Sequence, residues 1–338
     1  MTPSSSHRLC IAPMMDRSDR HFRFLTRILA PHARLYTEML TARALLRGDA
    51  DRLLRFDAAE HPVALQLGGS DPEELASAAR LGELAGYDEV NLNVGCPSDR
   101  VQAACFGAAL MLDAGRVADC VAAMRAAVAV PVTVKTRLGV DEHDSYEFLE
   151  SFVARVAAAG CATFIVHARK AWLSGLSPRE NREIPPLDYP RVQRLKRDFP
   201  ALRIVVNGGL VDHATVLAQL EGLDGAMLGR AAYQQPWLLA DLDRTLFGGR
   251  ASPTLERVLE RYLVYSEREA AAGTPLRSMT RHLLGLRNGL PGGRRWRRAL
   301  SELRDAPAGL ARLRDLAACR DVRSGLAGAA LGAAYALG

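Results

Sequence analysis

The sequence predicts an α/β chain, a (β/α)8 TIM barrel with a C-terminal helical domain, and three observations carry that expectation. Eight short, apolar, strand-like runs alternate with helix-like stretches between residues 8 and 230, the pattern of a parallel sheet closed on itself. No GxGxxG follows the first run, which argues against the rival doubly wound sheet. After Gly248 the alternation stops and helical periodicity takes over.

RLCIAPM (8–14) is the first strand, followed by the helical SDRHFRFLTRILA. ARLYTEM (33–39), VALQLGG (63–69) and EVNLNVG (89–95) come next. VTVKTR (132–137), TFIVHAR (163–169), RIVVNGG (203–209) and GAMLGR (225–230) complete the set. Between them, DPEELASAARLGELAG and SYEFLESFVARVAAAG each open on a capping residue and close on Gly. SPTLERVLERYLVYSERE, SMTRHLLGLRNGL and GRRWRRALSELR supply the later helices. The expected division is therefore 1–249 for the barrel and 250–338 for the helical domain, with Gly325 to Gly338 a frayed last helix.

Composition narrows the function classes. Apolar content of 49% and charged content of 24% suit a soluble globular protein. Six scattered cysteines form no CxxC pair, and no His cluster has ligand spacing, so neither a disulfide framework nor a metal site is expected. No signal peptide or membrane-length apolar run is found, so the expectation is a cytoplasmic protein with no membrane partner. From Arg250 onward, sixteen Arg face eight acidic residues, a surplus of +8, whereas the preceding residues sum to −2. A near-neutral body with a basic tail suits a polyanionic partner.

Polar residues stand at the carboxyl ends of the strands, where a barrel does its chemistry. They are Pro13-Met14-Met15, Glu38, Gln66, Asn91 and Asn93, Lys135 with Arg137, His167 with Arg169, Asn207-Gly208-Gly209, and Gly229-Arg230. Glycines and a cation after strands 7 and 8 form the usual barrel site for a phosphate. Lys135, one of only three lysines, could face the electron-rich pyrimidine edge of a flavin, with Gln66 pairing to its amide groups. A salt bridge inside the barrel is the plainer reading of Lys135. Together these residues favour FMN. Cysteines pack as small hydrophobes more often than they react, and that is the expectation for Cys10, Cys105, Cys120, Cys161 and Cys319.

APMMD, YTEM, ALQLGGSDPEELA, GYDEVNLNVGCPSDRVQ, VTVKTRLGVDEHDSYEFL, TFIVHARKAWLSGLSPRENREIPPLDYPRV, NGG and MLGRAAYQQPWLL resemble the tRNA-dihydrouridine synthases. The likeness covers residues 8–305 and looks nearest to the subfamily acting at positions 20 and 20a of the D-loop. It implies an FMN barrel, NADPH as reductant, and a helical domain that helps clasp tRNA. Within that likeness Cys96, in NVGCP, donates a proton to C5 of a uracil that takes hydride at C6. An ordinary thiol, with a pKa of about 8.5, is mostly protonated at pH 7 and can serve as that acid. The cysteine loop would close over a base turned out of the RNA fold.

The resemblance also implies that Pro13, Met14, Met15, Gln66, Lys135, His167, Asn207, Gly208, Gly209, Gly229 and Arg230 contact FMN, and that Asn93 bonds the uracil edge. Arg179 and Arg182, with Arg294 and Arg297, would meet tRNA, and the chain is expected to be a monomer. The chain departs from the family after GCPSDRVQ. Ala103, Ala104 and Cys105 stand where a Gly and an Arg are frequent, which bears on the loop rather than on the chemistry. Two alternatives stay open on the residues alone: a barrel reducing a free enone or pyrimidine, and an RNA-binding barrel without activity.

Overall fold

The computed structural model describes residues 5–103, 105–248, 251–303 and 307–318. Eight parallel strands form the barrel: β1 (Leu9–Ile11), β2 (Arg34–Tyr36), β3 (Val63–Gly68), β4 (Glu89–Val94), β5 (Val132–Thr136), β6 (Thr163–His167), β7 (Arg203–Asn207) and β8 (Gly225–Leu228). Cys10 pairs with Met227 and Leu35 with Val63, so the sheet closes without a free edge. A two-residue strand, Leu40–Thr41, extends the outer end of β3. The first strand is shorter than its apolar run. The Ala12 amide still donates to the Leu228 carbonyl at 2.8 Å, but Pro13 has no N–H to continue the ladder.

One helix follows each strand: α1 (Arg20–Leu29), α2 (Ala42–Arg47), α3 (Pro72–Leu84), α4 (Ala114–Ala127), α5 (Tyr146–Ala158), α6 (Tyr189–Asp198), α7 (His213–Leu220) and α8 (Pro236–Phe247). Their starts are written in the sequence: the side chains of Asp19, Asp71, Asp113, Ser145, Asp188 and Asp212 each accept a first-turn backbone N–H. Aliphatic residues on the outward faces of the strands, such as Leu65, Val90, Val134 and Val206, pack beneath these helices.

Beyond the barrel come α9 (Leu255–Ala271), a short helix Leu276–Thr280, the 3-10 segment Arg281–Arg287, α10 (Gly293–Ser301) and α11 (Ala308–Ala318). The single helix expected from SMTRHLLGLRNGL is thus two short pieces. There Gly285 abuts the barrel so closely that a Cβ would lie 2.8 Å from the Tyr233 carbonyl. Helix α1 serves both halves. Phe22 joins the barrel core, while Leu25, Ile28 and Leu29 pack with Val258, Tyr262, Leu283 and Trp296. Asp19, the α1 cap, also ion-pairs with Arg281 and with His282, the latter at 3.0 Å.

Residues 249 and 250, where the two expected domains would meet, and 319–338, which hold Cys319 and the expected last helix, lie outside the described residues. Among the described residues, no helix is long and apolar enough to cross a membrane.

Candidate active site

The site begins inside β4. Glu89, Asn91 and Asn93 share the strand face that points into the barrel, as a period of two requires, and all three are buried. Asn93 stands opposite Lys135 in the register. Its Oδ1 accepts the backbone N–H groups of Gly95 at 3.1 Å and Cys96 at 3.0 Å. Its Nδ2 donates to Gln66 Oε1 at 2.9 Å. Expected as a partner of the substrate, Asn93 is thus already the clamp of the turn that carries Cys96, with one N–H left over.

Cys96 is half-buried, its Sγ 3.5 Å from the Ser98 hydroxyl. Its carbonyl accepts the Ala108 N–H at 2.8 Å, which folds the return of the loop beneath it. Lys135, Arg137 and Arg182 all interact electrostatically with Cys96. Lys135 makes no hydrogen bond or ion pair among the described residues, which removes the salt-bridge reading. Burial first, and then Arg137, pull its pKa down to about 7. The imidazole of His167 is held well below its ordinary value by burial, with Arg137 and Lys135 adding to the effect, and its Nδ1 has no partner.

Arg137 is a site residue that sequence reasoning placed at a strand end and gave no role. Its guanidinium donates to the carbonyls of Gly95 at 3.1 Å and Asn181 at 2.9 Å. It therefore ties the cysteine loop to the segment after β6. Asn181 was missed altogether. Fully buried, it accepts the Trp172 N–H at 2.7 Å and donates to the Trp172 carbonyl at 2.9 Å, which shapes the loop from Arg169 to Arg182. A lone Asn in a charged stretch offers no sequence signal for such a role.

Across the mouth, Asn207-Gly208-Gly209 ends β7. Asn207 Nδ2 donates to the Met227 carbonyl at 2.7 Å and binds β7 to β8. Gly208 and Gly209 have φ of +99° and +69°, and a Cβ on Gly209 would lie 2.3 Å from Leu187 Cδ1. Only glycine fits this left-handed backbone packed against His167, Leu187 and Tyr189. Gly229 opens the short helix Arg230–Gln234, and the exposed Arg230 side chain ion-pairs with Glu183. Pro13 and Met14 are half-buried beside this rim, whereas Met15 is 57% exposed.

The expected RNA contacts separate into three places. Arg182 sits at the rim, near enough to Arg230 and Cys96 to interact with both. The Arg179 side chain is 79% exposed, 3.6 Å from the same Glu183 that pairs with Arg230. Arg294 and Arg297 line a hollow of about 370 Å³ with Arg287 at the start of α10. A larger hollow of about 610 Å³, lined by Arg20, Arg52, Arg55, Arg277 and Arg281, opens between the barrel and the later helices beside Thr37 and Glu38.

Cys10, Cys120 and Cys161 are buried as expected, but Cys105 is not. It is exposed, at φ 55°, in the turn that follows the short helix Asp99–Ala103. The left-handed backbone there aims the side chain out of the core. Ala104 lies outside the described residues.

A closed parallel barrel whose C-terminal mouth gathers a thiol, a lysine without a partner among the described residues and a left-handed glycine pair is that of a (β/α)8-barrel enzyme. The family model described as "Dihydrouridine synthase (Dus)" matches residues 10–322, and the chain belongs to the dihydrouridine synthase family. A Vibrio cholerae protein named tRNA-dihydrouridine(20/20a) synthase is 56% identical over 309 residues, spanning 90% of this chain and 94% of its own. Proteins of the same name from Escherichia coli K12 and Yersinia pestis are 56% and 57% identical, over 88% and 87% of this chain. A solved 2-naphthoyl-CoA reductase complex shares the fold, at a TM-score of 0.55 and 13% identity over 71% of this chain. The chain spans 50% of that structure's length.

Proposed function

We propose that this chain reduces uridine to 5,6-dihydrouridine in tRNA, at positions 20 and 20a of the D-loop, with FMN as cofactor, NADPH as reductant and Cys96 as acid. The observation that carries this reading is the mouth itself. Cys96 stands on a clamped turn, facing the unpaired cation Lys135, across from a glycine cradle.

The residues present fit a flavin phosphate and ring. Backbone N–H groups of Gly208, Gly209 and Gly229 would take the phosphate, and Arg230 adds a cation that would exchange Glu183 for it. Lys135, His167 and Gln66 would hold the ring, with Pro13, Met14 and Met15 beside them. Asn207 acts by binding β7 to β8 beneath the cradle. When bound and reduced, the flavin supplies the hydride for C6 of the uracil. Cys96 Sγ gives its proton to C5 and leaves a thiolate, which Lys135, Arg137 and Arg182 stabilise by charge. The remaining Asn93 N–H would take a uracil carbonyl.

Arg179, Arg182, Arg294 and Arg297 would take tRNA phosphates, and the arginine-lined cleft between residues 1–249 and 250–338 extends that surface. A cytoplasmic monomer suits such an enzyme.

The test uses purified protein with NADPH and unmodified tRNA. A flavin absorbance spectrum and dihydrouridine mapped to positions 20 and 20a are expected. A colourless protein, or reduction of free uridine without tRNA, would overturn the reading.

A further inference from the structure

Five side chains form an unbroken line of hydrogen bonds from the far end of the barrel to the cysteine turn. Thr133 Oγ1 donates to Glu89 Oε1 at 2.6 Å, and Asn91 Nδ2 donates to Thr133 Oγ1 at 2.8 Å. Gln66 Nε2 donates to Asn91 Oδ1 at 2.8 Å. Asn93 Nδ2 donates to Gln66 Oε1 at 2.9 Å, and the Gly95 and Cys96 amides donate to Asn93 Oδ1. Every link points the same way.

The direction follows from its first member. Glu89 is fully buried, 2.8 Å from His7 Nε2, 3.2 Å from the Arg34 guanidinium and 2.8 Å from the Tyr36 hydroxyl, which donates to it. Burial favours the neutral acid, but His7 and Arg34 outweigh it and hold the carboxyl ionised. An ionised carboxylate only accepts, so Thr133 must donate its one proton there and accept from Asn91. Each amide in turn has one orientation left. The last, Asn93, must present its oxygen to the Cys96 turn; reversed, its NH2 would face two N–H donors. Burial of an amide in the wrong orientation is costly, and aligned bonds reinforce one another.

We propose that Glu89, roughly 13 Å of strand below Asn93 at about 3.3 Å per residue, and Thr133, in register with Asn91, are positioning residues. Through Asn91, Gln66 and Asn93 they set the placement of the Cys96 turn. The catalytic side of this rests on Cys96 being the acid; the structural side does not. Gln66 is oriented by the same line.

Thr133→Val keeps the shape and removes one link, and Thr133→Ser restores the hydroxyl. In the holoenzyme, Thr133→Val should lower kcat for dihydrouridine formation about 3- to 10-fold, the loss equivalent to one hydrogen bond, with KM for tRNA unchanged. Alkylation of Cys96 by iodoacetamide, followed by mass spectrometry of its peptide, should speed up by a similar factor. Thr133→Ser should return both to parental values. Should Thr133→Val not fold, Thr133→Ala opens the same link with less crowding and is read in the same way. Parental kcat and alkylation in the Val or Ala variant, or a Ser variant no better than Val, would overturn the proposal. An active Cys96→Ala enzyme would instead overturn the acid assignment, and the alkylation result would stand on its own.

Discussion

Inside the barrel, β6, β7, β8 and β1 contribute Ile165, Val205, Met227, Cys10 and Ala12, a cluster separate from the layer under the helices. The facing interior is Gln66 from β3, Glu89, Asn91 and Asn93 from β4, and Thr133 and Lys135 from β5. The first half stabilises by removing apolar surface from water. The second is tolerable because the groups from Glu89 to Asn93 hydrogen-bond to one another. Its bonds run unbroken from Glu89 up to Asn93 and do not reach Lys135 or His167 Nδ1. The difference shows where a ligand belongs: among the described residues of this interior, Lys135 and His167 Nδ1 at the mouth are left without partners. Changes in the polar half should therefore act mostly on turnover, and changes in the apolar half mostly on stability.

The largest expected effect is Cys96→Ala. Dihydrouridine formation should fall roughly 10²- to 10⁴-fold, the usual worth of a general acid, with flavin content and NADPH oxidation retained. Quantifying dihydrouridine in tRNA after single-turnover reduction checks it. Ile165→Ala probes the other half. It should cost about 2–5 kcal/mol in urea unfolding, while turnover per folded molecule stays near parental. A loss of turnover without a loss of stability would break the division.

Lys135→Met moves the polar half toward the apolar one, and pH reads the result. Because the folded pKa is pulled down to about 7, the folded protein carries this charge at a cost that is fully present below pH 7. The cost declines as pH rises toward about 10.4, the ordinary lysine value. The flavin-free Met variant should therefore melt above the parent by a margin widest below pH 7 and shrinking between pH 7 and 10, as calorimetry across that range would show. An equal margin at every pH would assign the effect to packing instead.

Outside the barrel, screened charges should behave differently again. Replacing Arg294 and Arg297 with Ala should flatten the salt dependence of tRNA binding by about 1–2 units of log–log slope, with flavin reduction unchanged. An unaltered slope would make them a solvated face only. The smallest effect belongs to Cys105→Ala. Its exposure predicts a stability change within about 0.5 kcal/mol and full activity, measured beside Cys96→Ala.

Much of this was legible in the residues. Strand runs, caps at Asp19, Asp71 and Ser145, and the glycines after β7 and β8 are local signals. Their physics (period, φ preference, side-chain capping) needs no distant partner. The thiol of NVGCP was legible too, through its place at a strand end and its likeness to a family.

Other features were decided by tertiary structure, because they depend on which strands become neighbours. Glu89 is an ordinary acidic residue until His7, Arg34 and Tyr36 converge on it. Asn93 reads as a substrate contact until the turn folds back and takes its oxygen. Arg137 and Asn181 gain their roles only when two loops after different strands meet over the mouth. Exposure of Cys105 likewise follows from a left-handed turn that its neighbours impose. Sequence alone determined which groups stand at the strand ends, since the period of a strand is a local property. Only the closed barrel decided which of them find partners and which are left facing a ligand, because a hydrogen bond between strands exists only once the sheet has closed.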